Sequence, residues 1–252
     1  MRSRIWASLV RIAHYWPVPA ILVAWDLWVL GNGYTSTVAP RPWSVIADVV
    51  TQFHAYRDPV LYTLGMSIGG LIGGTVVGFV GAVLVWWSSA LSGVVTPAAL
   101  VVRSVPLTAM IPIIARVVGY GDTAVLASTI LISFFPAFVL TLSGLNSIPA
   151  VDDDLVASLG GGRWQLFRRV GLLHALPNLA VSVRITAPTA ILAAMLAEFL
   201  MGSHGLGALF SQSQGYQNAD RAWGTALIAS VVSLLVFTAA RVLERRVTTR
   251  VT

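Results

Sequence analysis

A polar segment at residues 152–177 lies between two long apolar stretches and carries side chains suited to binding another protein. Its three aspartates at 152–154 favour the start of a helix, both as caps and by their charge. Three glycines then break that helix, because glycine readily adopts positive φ. A second helix is predicted from Arg163 to about Leu173. This pattern predicts a compact projection, although a helix pair that merely connects its neighbours is the alternative; typical connections have about 2–8 residues.

Few residues could support catalysis or bind a metal. The chain has no cysteine, which excludes disulfides and thiolate ligands. Its four histidines, at positions 14, 54, 174 and 204, do not pair at metal-ligand spacing. No constellation of a nucleophile with a base stands out, and there is no glycine-rich Walker loop to hold nucleotide phosphates. The sequence therefore predicts no catalytic residue, no metal site and no cofactor bound by this chain.

Three charged residues, Asp26, Arg103 and Glu198, lie in apolar surroundings. Such residues are expensive in a membrane and are by default functional candidates. Arg103 could face a wet cavity or an acidic partner, or it could extend to the cytoplasmic face. Glu198 could lie on a solute pathway, or it could be a helix-end carboxylate in contact with water. We predict Arg103, Pro106, Met110 and Glu198 as residues of a translocation pathway.

The composition predicts the elements that position these residues. The chain is 56% hydrophobic and 10% charged, whereas soluble domains have about 25% charged residues. Apolar stretches of about 20 residues are candidates for membrane spans, and they must be helices because lipid offers no partners for the backbone. Six are predicted, near residues 16–30, 61–87, 94–118, 123–142, 179–200 and 223–243. The fold class is thus an all-α integral membrane protein, with residues 1–252 forming one domain.

Arginine supplies every basic charge and predicts the orientation. Groups of arginines precede the first span, lie within residues 152–177 and close the chain; with six spans, all three groups fall on one side. The positive-inside rule then places both termini and residues 152–177 in the cytoplasm. The N-terminus could instead be a cleaved signal peptide, but Asp26 and the lack of a clear cleavage site argue against this. Dispersed arginines are also unlike a nucleic-acid-binding stripe.

Glycine and proline mark two of the predicted spans. In the second span, two sets of glycines four residues apart lie on helix faces, where a neighbouring helix can approach closely. These are Gly65, Gly69 and Gly73, and Gly70, Gly74 and Gly78. The third span contains Pro97, Pro106 and Pro112. Proline kinks or breaks a helix, and broken spans often line transport pathways.

The segment at 152–177 resembles the EAA loop of the permease subunits of binding-protein-dependent ABC importers. Asp154 takes the position of the glutamate, Leu155 and Val156 those of the alanines, and Gly160 that of the glycine. Runs such as VRSVPLTAMIPI and AEFLMGSHGLGALF are similar to the nitrate, sulfonate and taurine branch, over residues 60–247. The residues that the resemblance assigns to ATPase coupling are Asp154, Ser158, Leu159, Gly160, Gly161, Gly162, Arg163, Trp164 and Phe167. The chain departs from the pattern in having Asp-Leu-Val for Glu-Ala-Ala and Leu173 where proline is common.

The resemblance implies a type I ABC importer permease fold in the bacterial cytoplasmic membrane. It implies two permease copies around one pathway, two separate ATPase subunits that bind ATP and Mg, and an extracytoplasmic solute-binding protein. The solute would be a small molecule such as a sulfonate, nitrate or a related compound. The alternatives are a self-contained secondary carrier or channel, which would show ionisable relays or an inverted repeat, and a non-transporting scaffold or sensor.

Overall fold

The structure is a computed structural model that describes residues 16–251, without the side chains of residues 18, 89, 96, 98–100, 102–104, 250 and 251. Predictions that rest on Arg2, Arg4, Arg11 and a signal peptide lie outside this range. The helices are α1 (Pro17–Asn32), α2 (Pro42–Thr51), α3 (Phe53–Trp87), α4 (Ser89–Ser104), α5 (Leu107–Val118), α6 (Asp122–Asn146), α7 (Ala150–Ser158), α8 (Arg163–Leu166), a π-helical turn (Phe167–Gly171), α9 (Leu172–Met201), α10 (Gly205–Gly215) and α11 (Ala219–Val251).

The prediction of an all-helical membrane protein is confirmed for the described part of the chain. Four helices are long and apolar enough to cross a membrane: Phe53–Trp87, Asp122–Asn146, Arg163–Met201 and Ala219–Thr249. Two apolar helices are shorter, Pro19–Asn32 and Leu107–Val118. The structure therefore supports four to six membrane helices.

Two predicted segments have different bounds. The third predicted span, 94–118, is two helices, because α4 ends at Ser104 and α5 begins after Pro106. Pro106 has no amide hydrogen and lies at φ −58° and ψ 129°, outside the helical region. The second helix of the polar segment, predicted to stop near Leu173, instead continues through the π-helical turn into α9, with Pro177 inside α9. The fifth span, predicted over residues 179–200, is therefore longer, because α9 already begins at Leu172.

The described chain forms two compact units: one contains residues up to Tyr56 and Phe210–Leu227, the other Arg57–Leu209 and the residues from Ile228 onward. In the second unit, α3 packs closely on α6 through glycines. A Cβ atom on Gly74 would lie 2.5 Å from the Ser133 Cβ, and one on Gly78 would lie 2.6 Å from the Phe134 carbonyl oxygen. This confirms the predicted close packing, which is tightest on the face of Gly70, Gly74 and Gly78. On the other face, a Cβ atom on Gly73 would lie 3.1 Å from Cγ1 of Ile130, whereas one on Gly65 would meet nothing within 4 Å.

The first unit is held by polar contacts between α2 and the start of α11. The Asp48 carboxylate accepts hydrogen bonds from the Arg221 guanidinium at 3.0 and 3.2 Å and another from the Tyr56 hydroxyl. The guanidinium of Arg221 also lies 5.4 Å from the centroid of the Tyr56 ring. Burial raises the pKa of Asp48, but the hydrogen bonds from Arg221 and Tyr56 outweigh burial and hold the pKa below its ordinary value.

Candidate functional site

The knob, defined here as residues 150–171, is a helix and a glycine turn, as the sequence predicts, followed by the first turns of a helix that continues into α9. Its first helix, α7, begins at Ala150 after the extended Pro149, and no side chain caps it. The predicted caps among residues 152–154 are therefore wrong, because the helix starts two residues earlier. Asp152 and Asp153 lie instead in the first turn, where negative charge favours the helix dipole.

The glycine turn depends on different properties at its three positions. Gly160 has φ +77°, a conformation that side chains with a Cβ atom rarely adopt. A Cβ atom on Gly161 would lie 2.7 Å from Cγ1 of Val156. Gly162 is extended, and its amide donates a 2.9 Å hydrogen bond to the side-chain oxygen of Gln165. The predicted helix break at Gly160 by positive φ is confirmed.

One side of the knob packs on the rest of its unit. Phe167 and Gly171 are buried, and Phe167 lies in an apolar cluster with Leu145 of α6 and Ala175 of α9. Trp164 is 56% exposed, although its ring centroid lies 5.7 Å from that of Phe167. The helix face predicted to carry the aromatic residues is therefore buried at Phe167 but partly exposed at Trp164.

The opposite side of the knob presents apolar side chains without covering groups. Val151, Leu155 and Leu159 are 75%, 55% and 78% exposed. Their spacing of four residues places them in one row along α7 and its end, which we name the ridge. Asp154 and Ser158 are exposed beside it. Exposed apolar rows rimmed by polar groups are typical of protein-binding surfaces.

Glu198, near the end of α9, is fully buried. Its Oε2 atom accepts hydrogen bonds from the Thr63 hydroxyl at 2.8 Å and from the Gly207 amide at 2.9 Å. The Leu206 amide donates a 2.8 Å hydrogen bond to the Thr63 oxygen. The carboxylate thus lies at the first turn of α10, where amides lack partners within the helix and negative charge is favourable.

Glycine makes room for this carboxylate. A Cβ atom on Gly205 would lie 2.3 Å from the carboxyl carbon of Glu198, and one on Gly207 would lie 2.0 Å from the Met195 carbonyl oxygen. Gly205 also has φ +92°. The interpretation of Glu198 as a helix-end carboxylate in contact with water is wrong, because the run GSHGLG encloses it. Its place on a pathway stays a prediction.

The other predicted pathway residues lie around the break between α4 and α5. Pro106 is exposed and Met110 is partly buried on α5. Arg103 belongs to α4, and its side chain lies outside the described part of the structure. The structure joins neither Pro106 nor Met110 to Glu198 by any described polar contact, so the four residues are a prediction as a set.

Sequence reasoning missed an ion pair within the second unit. Arg184, in the middle of α9, lies 3.0 Å from the Glu244 carboxylate of α11, and both side chains are mostly buried. Arg184 is a charge inside a predicted span, the same signal that singled out Arg103. The partner could not be found from the sequence, because 60 residues separate the two.

Comparison with known proteins gives the same class as the fold. Residues 70–249 match the family described as binding-protein-dependent transport system inner membrane component, and the chain belongs to this family. The chain is 29% identical over 227 residues to the formylaminopyrimidine transport permease protein ThiX of Halalkalibacterium halodurans, covering 89% of this chain and 90% of that protein. It is 28% identical over 236 residues to the riboflavin transport system permease protein RibX of Chloroflexus aurantiacus, covering 89% and 85%.

Solved importers share the fold. An inward-facing form of the MetNI methionine ABC transporter matches with a TM-score of 0.66 and 24% identity, over 75% of this chain and 94% of that chain. A bacterial ABC transporter that imports the acidic polysaccharide alginate matches with a TM-score of 0.65 and 16% identity, over 97% and 99%. These likenesses support the importer permease fold.

The family membership decides between the function classes left open by the sequence. The chain is a multi-pass inner-membrane permease of a bacterial binding-protein-dependent ABC importer. It works with a separate ATPase subunit and a periplasmic binding protein, and permeases of this family bind no cofactor themselves. The secondary carrier, the channel and the scaffold are therefore not favoured.

Proposed function

We propose that the knob seats this permease on its ATPase subunit and that the ridge is the contact surface. The observation that carries the proposal is the row of Val151, Leu155 and Leu159, which is exposed although each residue is large and apolar. Burying one such side chain at an interface contributes about 1.5–3 kcal/mol. Asp154 keeps the acidic position of the EAA loop next to this row, and the glycine turn fixes the direction in which α7 projects.

The first experiment tests the contact surface. Leu159→Asp places a charge on the ridge, whereas Ala157→Asp places the same charge on the opposite side of α7, where the residue is also exposed. We expect Leu159→Asp to abolish co-purification of the ATPase with a tagged permease and Ala157→Asp to leave it intact. Equal retention in both variants would contradict the ridge as the docking surface.

We further propose six spans, formed by α1, α3, α4 with α5, α6, α9 and α11, with both termini and the knob in the cytoplasm. The distribution of arginine supports this orientation. Because the chain has no cysteine, a single Ala157→Cys variant can be labelled without further changes. An impermeant maleimide should label it in inside-out vesicles only. Labelling of intact spheroplasts instead would reverse the topology.

Two copies of the permease are proposed to enclose the pathway, together with two ATPase subunits. Arg103, Pro106, Met110 and Glu198 are proposed as pathway residues. The break between α4 and α5 supports the first three, and an ionisable side chain buried on a predicted span supports Glu198. The solute is proposed to be a small molecule such as a sulfonate, nitrate or a related compound. Relatives are named for aliphatic sulfonates, taurine, riboflavin and formylaminopyrimidine. Titrating the cognate binding protein with taurine, nitrate and riboflavin tests the class.

A further inference from the structure

The knob is joined to the end of α3 by a guanidinium and a layer of aromatic rings. Nη2 of Arg163 donates a 2.5 Å hydrogen bond to the carbonyl oxygen of Trp86, and the guanidinium carbon lies 5.0 Å from the centroid of the Trp86 ring. The Phe167 ring lies 6.1 Å from that of Trp86 and 5.8 Å from that of Trp87. The centroid of the Trp87 ring lies 6.0 Å from that of the Trp164 ring. We name this set of contacts the clasp.

The chemistry of the clasp suits the end of a helix. Carbonyl groups in the last turn of a helix lack partners within it, and a positive charge there is favourable to the helix dipole. Arg163 supplies both a donor and a charge, and its planar group also stacks on the indole of Trp86. Phe167 belongs to a buried apolar cluster against which Phe79 and Val83 of α3 pack. The knob therefore holds α3 by a polar bond and by packing at the same end.

The clasp lies at the junction between α3 and α4, which we name the corner. α3 ends at Trp87, and α4 begins at Ser89, so only Ser88 separates the two helices. α4 runs from this corner to the break before Pro106. A displacement of the knob that carries Trp86 with it must displace the start of α4 as well, because one residue leaves little slack.

We propose that Arg163 is a positioning residue that clamps the knob to the corner between α3 and α4, so that movement of the ATPase reaches α4 through this corner. The proposal rests on the proposed function of the knob. It gives Arg163 a role different from docking: its guanidinium binds this chain and not the ATPase. Movement of the knob then displaces α3 and α4 through the corner. It also displaces α9, because the knob continues directly into that helix.

The experiment uses the permease with its cognate ATPase subunits in nanodiscs. A nitroxide on Val105→Cys, an exposed position at the α4–α5 break, reports movement of α4, and Mg·ATP with vanadate is the trigger. Arg163→Ala removes the guanidinium contacts of the clasp and leaves its ring contacts, whereas Arg163→Lys keeps a charged donor but not the planar stacking group. Arg241→Ala, an exposed arginine on α11, is the matched control for loss of one positive charge.

In the parent and in Arg241→Ala, we expect vanadate trapping to change the nitroxide spectrum. In Arg163→Ala, the ATPase should still co-purify and hydrolyse ATP, but the spectral change should be lost; Arg163→Lys should restore part of it. A full spectral change in Arg163→Ala overturns the proposal. Loss of ATPase binding in Arg163→Ala also overturns it, since Arg163 would then be a docking residue. Failure of the parent to bind the ATPase would instead overturn the proposed function itself.

Discussion

Thr63 and Glu198, 135 positions apart in the chain, form a hydrogen bond of 2.8 Å inside the second unit. The Thr63 oxygen also accepts a bond from the Leu206 amide. One hydroxyl thus connects α3, the end of α9 and the start of α10. Because all these groups are buried, removing the hydroxyl would leave a buried donor without a partner.

We predict that Thr63→Val destabilises the permease by about 1–3 kcal/mol, the cost of an unpaired buried polar group. The matched control is Thr186→Val, since the buried hydroxyl of Thr186 has no hydrogen-bond partner among the described residues. Thermal unfolding in detergent, followed by tryptophan fluorescence, should show a lower Tm for Thr63→Val only. Equal Tm values for the two variants would contradict the role of the Thr63 hydroxyl.

Alanine at the three glycines of the knob should have three different effects. Gly160→Ala should cost about 1–2 kcal/mol, because Gly160 is left-handed. Gly161→Ala should distort the turn, since its Cβ would lie 2.8 Å from the Val156 carbonyl oxygen. Gly162→Ala should be tolerated, because its backbone is extended and the nearest atom would lie 3.4 Å away.

Co-purification of the ATPase with each glycine variant measures these effects on the same scale. The expected yield of ATPase is close to the parent for Gly162→Ala and reduced for Gly160→Ala and Gly161→Ala. Membrane insertion should be unchanged in all three, as measured by the amount of permease in the membrane fraction. If only Gly162→Ala reduced the yield of ATPase, the backbone conformations of the three glycines would not explain the effect of the turn, and the prediction would be wrong.

The sequence was sufficient for features that depend on the local backbone. Positive φ at Gly160 is confirmed, because glycine freedom acts within the residue itself. Of the three prolines expected to kink or break the third span, Pro106 separates two helices, whereas Pro97 lies inside α4 and Pro112 inside α5. The predicted end of the polar segment's second helix near Leu173 is wrong, because Pro177 does not interrupt the helix. Pro177 removes one hydrogen bond, but the remaining bonds of a 30-residue helix hold it together.

Features that depend on distant partners were beyond the sequence. Glu198 was expected either on a pathway or in water, since nothing local shows that Thr63 and the Gly207 amide bind it. The ion pair of Arg184 with Glu244 could not be predicted either, because the two residues are far apart in the sequence. The apolar ridge could not be found either, because the exposure of Leu155 and Leu159 depends on which side of α7 the rest of the unit covers.

Substitution of one tightly packed glycine and one open glycine of α3 should show how much the contact with α6 contributes to stability. Gly74→Ala would place a Cβ 2.5 Å from both the Ile130 carbonyl oxygen and the Ser133 Cβ, so α3 and α6 must move apart. Gly65→Ala meets nothing within 4 Å and replaces glycine by a better helix former. We expect Gly74→Ala to lower the Tm and Gly65→Ala to leave it unchanged or higher; the reverse order would refute this packing.

The carboxylate of Asp48 should make stability depend on pH in the acid range. Its pKa is lower in the folded protein than its ordinary value of 3.8, so its contribution is complete above that value and is lost as the pH falls through the folded pKa. Asp48→Asn should therefore lower the Tm at pH 7 and remove part of the loss of Tm on acidification. Asp58→Asn, at an exposed position, is the control, and an unchanged pH profile in Asp48→Asn would contradict the prediction.

The pair of Arg184 and Glu244 should behave as a partly buried ion pair. Glu244→Gln leaves the Arg184 charge without its partner, and we expect a loss of about 1–2 kcal/mol, between the values for surface and buried pairs. Replacing both residues, Arg184→Met with Glu244→Met, removes the charges together and should recover most of that loss. A double-mutant cycle on Tm, completed by the single variants Arg184→Met and Glu244→Met, measures the coupling. If Glu244→Gln and the double variant lost the same stability, the ion pair would not be what joins α9 to α11, and packing of the long side chains would be the cause.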